Sequence, residues 1–142
     1  MTRIDFYILQ DQTEDACMRF ACRLGLKAAR SGNPVHVHVN SAEHATALDE
    51  LMWDYPKHRF VPHDNLTNDL PISPIHIGCA DPTQQDGLMI NLAREIPTFF
   101  GRFDRVAEIV VGTTKDQGRE RYKYYRDRGY PLHHHDLDSW EA

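Results

Sequence analysis

The residues best suited to chemistry lie between Thr113 and Gly129, in TTKDQGRERYKYYRDRG. Six Lys/Arg and three Asp/Glu crowd there, in a chain whose net charge is −5. At helical spacing Lys115, Arg119, Lys123 and Arg126 fall within about 80° of one another, with Tyr122 on their flank. Asp116, Glu120 and Asp127 make a neighbouring acidic stripe. Gly118, Tyr122 and Tyr125 form the expected packing edge on the other side. A row of ammonium and guanidinium groups beside an aromatic ring suits an acidic partner with an apolar end. The same pattern also describes a solvated helix whose cations pair with its own acids.

Other chemistry finds less support. The chain has nine histidines. His36 and His38 alternate on one strand face at a spacing that can chelate, and His133-His134-His135 stands near the C-terminus. No paired Cys or carboxylate completes a metal site around either group. Cys17, Cys22 and Cys79 are an odd count without metal spacing, and read as buried free thiols of a reducing compartment. There is no GxGxxG, no GxxxxGK[ST], no GxSxG and no HExxH. The first strand-to-helix junction, QDQTEDAC, lacks glycine and carries two acids where a phosphate would sit. No cofactor, no metal and no catalytic set is expected. The acidic net charge argues against a broad nucleic-acid-binding face.

These residues need elements to position them. Arg3 to Leu9 is a near-continuous apolar run, as in a strand buried on both faces. Asp11 or Thr13 can cap a helix from Glu14 to Arg30, which Ser31-Gly32-Asn33-Pro34 stops. Val35 to Val39 alternates as a strand, and Ser41 caps a helix over Ala42 to Trp53. Strand, helix, strand, helix predicts a parallel sheet with right-handed crossovers. Segments 74–78, 87–92 and 103–112 add strands, Phe99-Phe100 anchors a turn, and 130–137 adds an extended edge. Thr113 or Thr114 caps the basic helix, and Gly129 with Pro131 ends it. Trp140 can pin the tail to the body. The fold class is therefore α/β, a mostly parallel central sheet flanked by helices, Rossmann-like but without a nucleotide-binding loop. At 142 residues one domain over 1–142 is expected. The N-terminus has no run suited to a signal peptide and no segment suits a membrane span, so a cytoplasmic protein is expected.

The segment 54–70 is irregular and rich in proline, with Arg59-Phe60-Val61 as a short strand. Trp53, Tyr55, Phe60, Val61 and Pro62 crowd there, either as interface anchors or as a lid folded onto the core.

Two stretches, LDELMWDYPKHRFVPHDNL at 48–66 and GRERYKYYRDRGYPL at 118–132, resemble the signature stretches of the chi subunit of bacterial DNA polymerase III holoenzyme. The opening FYIL, the helix ending at RSG and the valine-rich strand are similar too, so the likeness runs through nearly the whole chain. The chain departs from the family pattern between Asn65 and Asp86 and at His133-His134-His135-Asp136. The resemblance implies an α/β fold and a non-catalytic adaptor of the replisome. It implies binding of the acidic C-terminal tail of single-stranded DNA-binding protein (SSB) by Lys115, Arg119, Tyr122 and Lys123, extended by Arg126 and Leu132. An SSB tail ends in aspartates, an Ile-Pro pair and a terminal Phe. The cations would meet its carboxylates, and Tyr122 and Leu132 would wall its phenylalanine. The psi subunit of the clamp-loader complex would dock on Trp53, Phe60, Val61, Pro62 and His63. A similar surface serves a helicase related to nucleotide-excision-repair helicases in some bacteria. DNA would be contacted only indirectly. The alternatives from other classes are a nucleotide- or small-molecule-binding α/β enzyme and a direct nucleic-acid binder.

Overall fold

The computed structural model of the chain describes residues 1–55, 63–65, 74–82 and 86–141. Its centre is one seven-stranded sheet in the order β3-β4-β2-β5-β6-β1-β7. The strands are β1 (Arg3–Leu9), β2 (Val35–His38), β3 (His63–Asn65), β4 (Ile75–Gly78), β5 (Leu88–Asn91), β6 (Arg105–Val110) and β7 (Leu132–Leu137). Every pairing is parallel. Strand β1 lies between β6 and β7, with Phe6 opposite Glu108 on one side and His134 on the other.

Period-two alternation along the strands builds two cores. Tyr7, Leu9, Val35 and Val37 face helices α1 (Asp15–Arg30) and α2 (Ala42–Asp54), where Phe20, Leu26, Leu48 and Met52 meet them. Ile4, Phe6, Met89, Val106 and Val110 face the other way, toward Tyr125 of helix α3 (Lys115–Asp127) and toward Phe100 and Phe103 of the turn before β6. The sheet therefore carries α1 and α2 on one face and α3 on the other.

Ser41 caps α2 as expected, its Oγ accepting from the His44 N–H at 3.1 Å. Neither Asp11 nor Thr13 caps α1. The Thr13 hydroxyl is drawn to the Asp15 carboxylate, and Asp11 accepts from Trp140 Nε1 at 2.8 Å. Trp140 does hold the tail, meeting Phe20 edge-on with ring centroids 5.2 Å apart. Glu141 adds an ion pair to Arg19 at 2.8 Å and accepts from the Tyr55 hydroxyl at 2.6 Å. The expected strand at 59–61 lies outside the described residues. Strand β3 begins at His63, inside the segment read as irregular, and pairs with β4. Cys17 and Cys22 are buried, and burial pushes both thiols up to about 12. Cys79 is exposed, against expectation, because it follows β4 at the sheet's end. Among the described residues no helix is long and apolar enough to cross a membrane.

Candidate functional site

Helix α3 is held to the sheet by a buried polar cluster. Arg121 reaches through the packing face to Glu108 of β6 at 2.5 Å and to the Ala93 carbonyl. Asn91 and the Tyr125 hydroxyl donate to the other Glu108 oxygen, at 3.0 and 2.7 Å. Burial and the Glu108 carboxylate raise the Tyr125 phenol well above its usual range, so it remains a donor. A buried ion pair needs this satisfaction of its remaining lone pairs and protons. Arg121 is thus an anchor and does not add to the basic surface.

The helix ends are built locally. Thr114 does not cap α3 through its side chain, and a single 3-10 turn over Gly112–Thr114 leads in. Its hydroxyl accepts from the Val111 N–H at 3.0 Å instead. At the far end Gly129 adopts φ 80°, its N–H bonding the Arg126 carbonyl while Tyr130 N–H bonds that of Tyr125. That paired closure satisfies orphan carbonyls and requires a left-handed residue, which glycine supplies without strain. Gly118 lets the helix settle onto β6, since a Cβ there would lie 2.8 Å from Val110 Cγ2.

Beside this anchor α3 and the sheet leave an apolar hollow of about 460 Å³. Phe6, Ile8 and Val110 form its floor, and Gly118 and Tyr122 one wall. Lys115 and Arg119 stand at its rim from α3, and His134 from β7. The Tyr122 ring is 38% exposed and lies 5.5 Å from that of Phe6, presenting an aromatic edge to the opening. Arg119 pairs with Asp116 at 3.0 Å, but both side chains are largely in solvent and the pair is easily exchanged.

Of the residues picked from the sequence, the hollow brings together Lys115, Arg119 and Tyr122. Lys123 and Arg126 are exposed on the same helix but do not line it. Leu132 does not wall the hollow as expected, being half-buried against the core beneath α3. His134 was weighed only as part of a metal-binding group, and Phe6, Ile8 and Val110 were not singled out. Their signal was the alternation of β1 and β6, which turns Phe6, Ile8 and Val110 toward α3.

Trp53 is 60% exposed on α2, on the opposite face of the sheet from α3. Phe60, Val61 and Pro62 lie outside the described residues, and His63 is described only as the backbone that opens β3. Where an open α/β sheet would take a nucleotide, at the carboxyl ends of β2, β5 and β6, the space is about 140 Å³. That is well under the roughly 300 Å³ of an ordinary ligand pocket. Among the described residues no group of three His, Cys, Asp or Glu is placed to hold a metal.

A model of the family described as DNA polymerase III chi subunit, HolC, matches residues 1–133. The chain belongs to that chi-subunit family. It is 36% identical over 140 residues to the DNA polymerase III subunit chi of Pseudomonas aeruginosa, covering 96% of this chain and 98% of that one. It is 34% identical over 134 residues to the subunit chi of Haemophilus influenzae, covering 89% and 92%. To that of Escherichia coli K12 it is 30% identical over 142 residues, covering 93% and 96%. This chi-family chain therefore has its anchor, its basic helix and most of the hollow inside the matched region. His134 and the Trp140 contact stand just beyond it.

Proposed function

We propose that this chi-family chain is a non-catalytic adaptor of the DNA polymerase III assembly. It reads the acidic C-terminal tail of SSB at the α3 hollow, and docks psi on the surface marked by Trp53, Phe60, Val61, Pro62 and His63. The two contacts link the clamp-loader complex to SSB-coated DNA. The observation that carries the tail reading is the apolar hollow with Lys115 and Arg119 at its rim.

Charge supports one direction for the tail. Asp136 and Asp138 line the adjoining depression that shares Lys115 and Ile8 with the hollow, and they repel aspartates. Along α3 in the other direction stand Lys123 and Arg126. Arg126 is about 10 Å from Arg119 at 1.5 Å per residue, a span of three extended residues. With a terminal Phe in the hollow, the aspartates upstream of the Ile-Pro pair reach these cations. Contacts made largely by exposed charges are weak, fast and salt-sensitive.

The test is titration of a labelled SSB C-terminal peptide with wild-type protein and Arg119→Ala at low and moderate salt. Wild-type binding should weaken with salt, and the substitution should weaken it roughly five- to tenfold. Failure of the folded wild type to bind the peptide, or equal binding of bare single-stranded DNA, would sink the tail reading.

A further inference from the structure

Three histidines in a row lie within β7, and the structure gives them different surroundings. His135 is committed to the sheet, 3.1 Å from Asp5 and stacked on Tyr7 with centroids 4.9 Å apart. His133 shares that side of the strand by alternation and is exposed. His134 turns the other way, is aligned with Phe6 of β1, and lines the hollow opposite Lys115 and Arg119. Among the described residues its imidazole has no hydrogen-bond or ion-pair partner, and neither has the Lys115 ammonium.

We infer that His134 is a third carboxylate-reading residue of this site, closing from β7 a clamp that Lys115 and Arg119 open from α3. This rests on the proposal that the hollow takes an acidic peptide ending in an aromatic residue. A floor of Phe6, Ile8 and Val110 beside Tyr122 accepts one aromatic side chain and offers nothing to a carboxylate. In a terminal residue the ring and the α-carboxylate leave the same Cα. Seating the ring on the floor therefore lifts the carboxylate to the rim, between the two sides. An imidazole in either tautomer has one N–H to donate there. Because β7 is an edge strand, this side of the hollow is open, and a donor on it fixes which way the carboxylate turns. An internal aromatic residue would leave that donor unused, so His134 selects for a chain end.

The experiment compares an acidic peptide ending in Phe with a free carboxylate against the same peptide amidated. Each is titrated into wild type, His134→Ala and His134→Gln. His134→Ala should weaken the free-acid peptide about fivefold and reduce the penalty for amidation by a similar factor. His134→Gln, which keeps an N–H donor, should recover most of the loss. Equal loss for both peptides would overturn the inference, since the imidazole would then only pack against the ring. Undiminished binding by His134→Ala would overturn it too. Binding of neither peptide by wild type is a different result, and removes the peptide-reading proposal itself.

Discussion

At the scale of single residues the most informative is Arg121. It sits among five other Lys/Arg in its stretch, yet it is 8% exposed and bonded to Glu108 and the Ala93 carbonyl. Half of that was legible: Arg121 stands four residues before Tyr125 and three after Gly118, so helical spacing puts it on the packing edge. Its partner was not, because Glu108 is one acid in an apolar strand and only the parallel pairing of β5, β6 and β1 sets it beneath α3. The pair is expected to behave as buried pairs do. Arg121→Ala leaves the Glu108 carboxylate without its cation and should lower stability by about 3–5 kcal/mol in urea unfolding. Replacing both partners, Arg121→Met with Glu108→Leu, should cost much less than the single change. Additive losses from the two single substitutions would contradict that account.

At the scale of elements, α3 meets β6 through the missing side chain of Gly118. Alanine is favoured over glycine inside a helix by about 1 kcal/mol. Here the gain is opposed by a contact 2.8 Å from Val110 Cγ2, and a β-branched side chain has little freedom to turn away. Gly118→Ala is expected to lower stability by about 1–2 kcal/mol and to weaken tail-peptide binding, because Val110 and Gly118 both line the hollow. Denaturant unfolding and peptide titration on one preparation check both. The first four elements were readable because α1 and α2 carry a helical period and β1 and β2 a strand pattern. The turn glycine at 129 was readable from its chemistry. Strands β3 and β7 were harder, for different reasons. The first is three residues long, and the second carries LHHHDL, which has no apolar pattern and joins the sheet as an edge beside β1. The hollow was half legible: periodicity gives the cations of one helix, but its floor depends on which strands become neighbours.

Across the whole molecule, the sheet encloses a pair of histidines that a strand pattern places but does not explain. His36 is fully buried, stacked on Phe103 with centroids 6.0 Å apart, and its Nε2 lies 3.3 Å from His38 Nδ1. Its Nδ1 is buried without a hydrogen-bond partner among the described residues, so the interior offers a proton there no acceptor. Burial pulls the His36 pKa down from 6.5 to about 3, with the neighbouring His38 and His76 adding to the fall, and burial lowers His38 as well. The sign follows from proton counts. Between about pH 3 and 6.5 the unfolded chain binds a proton at His36 that the native state does not, so stability rises with pH in that window. Native protein is therefore expected to hold its full stability above neutrality. It should lose up to about 1.4 kcal/mol per pH unit on account of His36 as the pH falls below 6.5, with His38 steepening the loss. Asp5 acts in a separate, lower window. Burial alone would raise its pKa, but the bonds from His135 and Arg3 and the nearby Arg105 charge hold it below 3.8. Its contribution is lost only as the pH falls past that value. Urea unfolding of wild type and His36→Leu from pH 7.5 to pH 5 separates the two windows. The variant should show a distinctly shallower decline over this range, even if its stability at pH 7.5 is lower. Parallel curves would mean that the acid sensitivity lies elsewhere than in the buried histidine pair.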